Sequence, residues 1–367
     1  MNKQLIYCLE DTSIPECHVS ISPEYSYSFE EQLSDIVQEF DKVLNENNLM
    51  KKHLVFAKLF LSDYINQKPF IEEHKPFSSL LSECAVSVVE QAPLDGTKIS
   101  VIFFFLKTED LRVERKNNAF LIYVEGKLHI YHTVSKFTSS DPYSQVQEAF
   151  QSHINLLAQH GLSLKHNCHR TWIYSRDVDK DYGQIVDSRN RIFDLQDLTK
   201  QTHYITSTGI EGKGFDRSSD VNIDFYSIQE TKPEQVKYLE ALDYLNPTHE
   251  YGVAFERGTS ISYADKKHLF ISGTASIDKH GDCVFRNDVL KQTERLFLNI
   301  EKLLGSGGAS FHDIAQMIVY LRNVSDYPVV KNYLEIHFPN TPKAVVLARV
   351  CRPEWLIEVE CLASKRI

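Results

Sequence analysis

DVLKQTERLFLNIEKLLGSGGASFHDIAQMIVYLRNV, residues 288 to 324, passes from an amphipathic stretch through a glycine-rich break into an apolar one. Leu290, Thr293, Phe297, Ile300 and Leu304 recur at helical spacing, so the first part predicts a helix with one buried face. The later run IAQMIVYL is β-branched, apolar or aromatic at every position but Gln316, which predicts a strand. The same pattern is written twice more upstream, at FEEQLSDIVQEFDKVLNENNLMKKHLVFAKLFLSDY (29 to 64) and YSQVQEAFQSHINLLAQHGLSLKHNCHRTWIYSRDV (143 to 178). From the last helical leucine to the aromatic in the strand, the count is 16 for Leu44 to Phe60, 17 for Leu157 to Tyr174 and 16 for Leu304 to Tyr320. An internal repeat of this kind decides the fold before any single motif does.

Each copy carries its own boundaries. Ser28 with Glu31 reads as a capping box, Asp141 precedes Pro142 at a first turn, and Asn287 precedes the third helix. The helices are expected to end near Asn47, Gly161 and Gly305. A further β segment closes each copy: KISVIFFFLK (98 to 107), DVNIDFYSIQ (220 to 229) and WLIEVECLAS (355 to 364). Copies two and three also open with hairpins, AFLIYVEGKLHIYHTV turning at Glu125-Gly126 and HLFISGTASIDKHGDCVF turning near Gly281. Copy one shows only a shortened version near CHVSISP. The expected fold is α+β, with three tandem units over residues 1–108, 115–230 and 250–367 and helices on one face of each sheet. Linkers are expected near 108 to 118 and 230 to 250, the latter holding Pro233 and Asn246-Pro247.

Composition narrows the function classes. The 367 residues are 42% hydrophobic and 25% charged, with a formal charge of -10, which argues against a nucleic-acid surface because such surfaces neutralise phosphates with Lys and Arg. Seven scattered cysteines without CxxC suit free thiols in a reducing compartment. The start MNKQLIYCLED meets an acid early and does not read as a signal peptide, and VIFFFL (101 to 106) is too short to span a bilayer. These features predict a cytoplasmic protein without membrane contact. Lys165-His166-Asn-Cys168-His169 lacks a second ligand pair at metal spacing, and GIEGKGFD and GSGGAS lack the frame of a phosphate loop. Neither a metal nor a cofactor is expected.

The last segment, RVCRPEWLIEVECLA (349 to 363), places Glu358 and Glu360 on one face of an otherwise apolar strand. In the three-copy alignment Ser100, Asp224 and Glu358 take one position, so only the last copy has a glutamate there. Arg170 aligns with Phe56 and Gln316 and is the lone guanidinium of its set, whereas Arg322 aligns with Ser62 and Arg176. Glu360 reads as a neighbour on a paired face.

Through HLFISGTASI, KQTERLFLNIEKLL, IVYLRNVSDYPVVKNYLEIHF and IEVECLA, the third unit resembles the RidA (YjgF) family over about 115 residues. RidA proteins are trimers of a chorismate-mutase-like fold with ligand pockets at subunit junctions, so the resemblance implies a pseudo-trimer in one chain. Over residues 115 to 363 the layout also resembles the chorismatases, which remove pyruvate from chorismate, through Arg170-Thr-Trp172-Ile-Tyr174, Arg189, Phe193, TSTGIEG (206 to 212) and Cys351-Arg352 seven residues before Glu358.

That resemblance implies a small anionic substrate, with Glu358 and Cys351 catalytic and Arg170, Arg322, Arg257, Gly258, Gly273 and Tyr174 binding. Glu358 would protonate the enol-ether methylene, and two guanidiniums would clamp the two carboxylates. Two departures matter. The position of the RidA substrate-binding arginine falls on Lys343, which weakens simple imine deamination, and WIYSRDVD stands where chorismatases have a different run. The alternatives are a RidA-like enamine or imine deaminase and an inactive small-anion-binding pseudo-trimer. The chain is expected as a monomer or as a homo-oligomer of pseudo-trimers.

Overall fold

The computed structural model describes residues 3–214, 216, 218–229 and 232–367. The expected boundary at residue 230 and Phe215 of the GIEGKGFD turn lie outside that range. Three mixed sheets follow one another along the chain. Strands β1 (Gln4–Leu9), β2 (Glu16–Ile21), β3 (Leu54–Leu61), β4 (Ala85–Glu90) and β5 (Ile99–Leu106) form the first, in the order β1-β2-β5-β3-β4. Strands β6 (Leu111–Lys116), β7 (Ala119–Val124), β8 (Lys127–Val134), β9 (Cys168–Ser175), β10 (Thr206–Glu211) and β11 (Val221–Ile228) form the second, in the order β10-β9-β11-β8-β7-β6. Strands β12 (Val236–Tyr238), β13 (Gly258–Ser262), β14 (Lys266–Thr274), β15 (Ile314–Leu321), β16 (Lys343–Leu347) and β17 (Ile357–Arg366) form the third, in the order β12-β13-β14-β17-β15-β16.

Strip away β6 and β12, and the three orders are one: a hairpin, then the last strand of the copy, then the strand after the first helix, then a parallel edge strand. The three tandem α+β units expected from the repeat, in the pseudo-trimer that the RidA resemblance implies, are the architecture found. Its helices begin as their local chemistry dictates. Ser28 and Glu31 close a reciprocal capping box on Phe29–Glu46, and Asp141 caps Pro142–Ala158 through Ser144 N. The third helix, Val289–Ser306, is capped by Asp288 rather than by Asn287, which adopts a left-handed φ of 61°. Buried faces of these helices cover one face of each sheet, for example Leu33, Ile36, Phe40 and Val43 in the first.

Several expectations are corrected. The supposed linkers contain strands: β6 adds an edge to the second sheet and β12 one to the third. The first copy has a complete hairpin, β1 with β2, not a shortened one. Cys8 and Cys17 face each other across that hairpin and are joined by a disulfide, so not all seven thiols are free. Cysteine count and spacing could not show this, because the pairing depends on strand register.

The uncovered sheet faces turn inward and meet around the pseudo-threefold axis. Aromatic rings contributed by all three copies pack there: Phe56 of the first stacks on Tyr131 of the second at 4.8 Å, Tyr131 leans on its own copy's Tyr226 at 4.7 Å, and Tyr226 on Phe270 of the third at 5.7 Å. Where a trimer repeats one residue three times around its axis, this chain places a different one in each copy.

Candidate active site

Cross-strand register fixes which residues are equivalent. Glu358 lies opposite Tyr320, Ser100 opposite Phe60, and Asn222 opposite Tyr174. The counterpart of Glu358 in the second copy is therefore Asn222, not Asp224. Asp224 lies opposite Trp172 and Glu360 opposite Ile318, so Asp224 corresponds to Glu360. The distinction of Glu358 survives this shift, since its equivalents are a serine and an amide.

The two glutamates do share a face, and it is buried: Glu358 is 4% and Glu360 5% exposed. Their surroundings differ. Glu360 accepts from Arg170 Nη2 at 2.7 Å and from Trp172 Nε1 at 2.7 Å. Trp172 is sandwiched by cations, Arg170 at 4.7 Å and Lys58 at 4.8 Å from its ring centre, and Lys58 in turn reaches Asp224 at 3.8 Å. This axial network settles the place of Arg170. It does not open into the cleft that holds Glu358, because its Nη2 is committed to Glu360 and to Thr208 Oγ1 at 2.6 Å, and it is only 2% exposed. Glu360, read as a paired neighbour, is paired, but in the interior.

Glu358 instead faces a cleft between the second and third sheets. Its wall includes Thr208 of β10, Gly273 of β14, Tyr182 and Arg189 of the helix Val178–Leu195, and Arg257, Cys351, Arg352 and Trp355 from loops. The two sheets are stitched at this seam: Gly273 N donates to Thr208 Oγ1 at 3.0 Å, and Ser207 N to Ser272 Oγ at 2.9 Å. Gly273 has a specific reason to be glycine. A Cβ there would stand 2.0 Å from Glu358 Oε1, so the bare backbone is what admits the carboxyl group. Burial pushes the pKa of the Glu358 carboxyl up to about 8, the charge of Glu360 adds to the shift, and Arg170 and Arg257 partly oppose it. The carboxyl is consequently a proton donor at neutral pH.

Cys351 lies on the same wall, where burial pushes its thiol up to about 12 against a hydrogen bond with Tyr182 that lowers it. It is a thiol there, not a thiolate nucleophile. Arg257 donates from Nη2 to Asn246 O at 3.1 Å and lies over the Phe255 ring at 5.5 Å. Arg189 lies 5.9 Å from the ring centres of Phe193 and Phe255, and Arg352 5.3 Å from that of Trp355. Three guanidiniums thus border one acid, a composition suited to a small dianion. The cleft is narrow, with about 30 Å³ of free space, so a ring-sized ligand enters only when long side chains swing aside.

Other expected site residues lie elsewhere. Arg322 bonds Asp179 at 2.7 and 2.6 Å and Val350 O at 2.8 Å, an ion pair between the third unit and a helix of the second, outside the cleft wall. Tyr174 is fully buried with its hydroxyl on Lys58 Nζ. Gly258 is a packing glycine whose Cβ would meet Phe270 O at 2.9 Å. Of the expected set, the structure brings together Glu358, Cys351, Gly273 and Arg257. Arg189 and Arg352 carried a sequence signal, since both belong to the motifs of the chorismatase resemblance, yet neither was selected. Thr208 carried one too, inside TSTGIEG, whereas Tyr182 and Trp355 carried none.

The residue opposite Glu358 across each junction is also informative. Lys343 pairs with Met317, Ser207 with Thr171 and Val86 with Ala57, which makes Lys343, Ser207 and Val86 equivalent. Ser207 borders the Glu358 cleft, whereas Lys343 borders the cavity that holds Ser100. The lysine and the glutamate are therefore at different junctions.

Among the described residues, Cys8, Glu10 and Cys17 are the one group close enough to share a metal ion, and the disulfide occupies both sulfurs. No helix of the described residues is long and apolar enough to cross a membrane.

Comparison with known proteins agrees with the fold described above. Residues 259–365 match the family model described as Endoribonuclease L-PSP. A RutC family protein of Pyrococcus abyssi is 30% identical over 99 residues, covering 26% of this chain and 78% of that protein. The chain belongs to the RutC family. Another member, the 3-aminoacrylate deaminase RutC of Acinetobacter baylyi, is 28% identical over 97 residues, or 26% of this chain and 77% of that protein. Beyond the RutC-like third unit, the whole fold is that of a crystallised chorismatase, with a TM-score of 0.67 at 16% identity over 85% of this chain and 93% of that one.

Proposed function

We propose that the cleft between the second and third sheets removes pyruvate from chorismate or a closely related small dicarboxylate. The carrying observation is Glu358: one buried carboxyl, protonated at neutral pH, seated on the bare backbone of Gly273 and bordered by Arg189, Arg257 and Arg352. An enol ether is inert to bases but is cleaved once its terminal methylene carbon accepts a proton. Glu358 gives that proton, the C=C electron pair forms the new C–H bond, and positive charge develops on the ether carbon beside its carboxylate. The resulting Glu358 carboxylate then removes a proton from water as its oxygen attacks that carbon. Collapse of the hemiketal breaks the bond between that carbon and the ether oxygen, which takes a proton from Glu358 while the hemiketal hydroxyl gives one back, leaving pyruvate and a ring alcohol. The arginines hold the two carboxylates, which fixes the methylene against the acid.

Arg170 has a positioning part in this reading. It anchors Glu360, whose charge keeps Glu358 protonated, and Thr208, which holds the Gly273 amide. Cys351, as a thiol beside Glu358, is available to give a proton to a ring hydroxyl that leaves as water and to take back the ring proton lost on aromatisation, the dehydration that would turn the ring alcohol into a hydroxybenzoate. The test is incubation of the purified chain with chorismate and enzymatic assay of pyruvate. Wild type is expected to form it, and Glu358→Gln to be slower by about 10²–10⁴, the usual worth of a general acid. Equal rates in both would remove Glu358 from the mechanism.

The 3-aminoacrylate deaminase among the relatives favours a second reading, hydrolysis of a reactive enamine at the same cleft. Against it, Lys343 and Glu358 do not share a junction. Ammonia release from freshly generated 2-aminoacrylate, without pyruvate release from chorismate, would favour the deaminase.

A further inference from the structure

Cys8 and Cys17, joined across the hairpin of β1 and β2, share their face with a carboxylate. Side chains alternate along an extended chain, so Glu10, two residues after Cys8, falls on the same side. Its carboxylate oxygen and the two sulfurs lie within 4.8 Å of one another, the one group of this kind among the described residues. Cys17 is buried, Cys8 half-buried and Glu10 exposed, so the group runs from the core to solvent at the rim of the first sheet. Lys107, just past β5, donates from Nζ to both Glu10 oxygens, at 2.7 and 3.0 Å.

The other five cysteines stay as thiols, and Cys283 and Cys351 are half-buried rather than sealed in the core. Such thiols persist in reducing surroundings, where a half-exposed disulfide is also open to attack. Cys8 lies on β1, an edge strand. Two electrons and two protons from a dithiol break the S–S bond, leaving two protein thiols and the reductant as its cyclic disulfide. Two sulfurs and a carboxylate then converge, a donor set that favours zinc and similar soft ions over calcium or magnesium. Ligand atoms around a tetrahedral zinc stand about 3–4 Å apart, which small rotations about the two Cα–Cβ bonds allow. Two thiolates and a carboxylate around a divalent ion leave one negative charge, and the Lys107 ammonium offsets it.

We propose that the reduced chain binds a thiophilic divalent ion of the zinc class at Cys8, Cys17 and Glu10, with the fourth position left to water. The same hairpin is then stapled by a disulfide when oxidised and by the metal when reduced. Both thiols give their protons to solvent as the ion binds. The staple sits where the ring of three units closes, because this hairpin is what meets the third unit. Tyr7 Oη donates to Ser364 O at 2.6 Å, Lys266 Nζ donates to Ile14 O at 2.8 Å, and His268 Nε2 stands 2.9 Å from Glu16 Oε1. None of the three ligands borders the Glu358 cleft, so the ion acts on stability and not on turnover.

The test uses the full chain, reduced with dithiothreitol and freed of it by gel filtration under argon, then titrated with Cd²⁺ as a spectroscopic stand-in for zinc and with Zn²⁺ in competition. Expected is an ultraviolet thiolate-to-metal charge-transfer band that Zn²⁺ removes, with a higher melting temperature for the zinc-loaded than for the metal-free reduced chain. The band is expected to be absent from the disulfide form and lost in Cys8→Ser. Glu10→Gln, an exposed change that keeps both thiols, is expected to weaken binding at least tenfold, and it decides the matter if the serine variant fails to fold. A disulfide that dithiothreitol does not open, counted by mass after alkylation, overturns the proposal. So does the lack of a band in the reduced chain, an equal band in the disulfide form, a band that survives Cys8→Ser, or unweakened binding in Glu10→Gln. Chorismate turnover takes no part in the test, so the metal site stands or falls apart from the proposed reaction.

Discussion

At the scale of single residues, Glu358 and Gly273 form one device. The acid must remain protonated where it works, so kcat/KM for pyruvate release is expected to be level below pH about 8 and to fall about tenfold per unit above it. The same raised value predicts a stability signature. A folded-state value above the unfolded one means the folded chain holds its proton longer, so stability declines as pH rises from the ordinary glutamate range towards about 8. Glu358→Gln is therefore expected to melt above wild type at pH 9 and near it at pH 5, by differential scanning calorimetry. Gly273→Ala drives a methyl group into the Glu358 carboxyl, which would sit 2.0 Å away. Loss of at least tenfold in kcat/KM is expected, with less effect on KM than on kcat, because the proton donor is displaced rather than the arginines.

At the scale of the strand, the last segment shows what a sequence can and cannot tell. Period-two alternation correctly placed Glu358 and Glu360 on one face. It could not say which residue of the second copy matches Glu358, because a slip of two residues leaves every side chain on its own face. Only the cross-strand partner, Tyr320 for Glu358 and Tyr174 for Asn222, resolves the ambiguity. Arg170 was misread for a related reason. Its uniqueness among the copies was legible, but whether its strand face met solvent, a ligand or another sheet depended on contacts between units distant in sequence. Buried beside Glu360 and Thr208, it predicts a structural penalty. Arg170→Met leaves a buried carboxylate without its cation and is expected to cost about 3–5 kcal/mol in denaturant unfolding, whatever the substrate.

At the scale of the whole molecule, the repeat made the architecture legible, since helix and strand signals recur in order and local propensities agree with the global fold, whereas the hairpin of the first copy was read short and that of the third, β13 with β14, was placed one turn too late, near Gly281. The cleft was only half legible. Glu358, Cys351, Gly273 and Arg257 converge from one third of the chain, whereas Tyr182, Arg189 and Thr208 arrive from another, across a seam that no local pattern announces. Fusing three copies lets each junction diverge, and here one has Glu358, one Ser100 and one Asn222. It also makes the copies interdependent, because Glu360 of the third is neutralised by Arg170 of the second. Residues 250–367 expressed alone would bring three Glu360 carboxylates to an axis without that arginine. By light scattering they are expected to aggregate or stay expanded at neutral pH rather than form a stable trimer.

The most direct test of the central claim is pyruvate formation from chorismate by wild type and Glu358→Gln, run side by side at pH 7 and pH 9.5. The predicted result is release by wild type at pH 7, a drop of at least tenfold at pH 9.5, and only a residual, pH-insensitive rate in the variant. Pyruvate release that is undiminished in Glu358→Gln, or absent from wild type at both pH values, would contradict it.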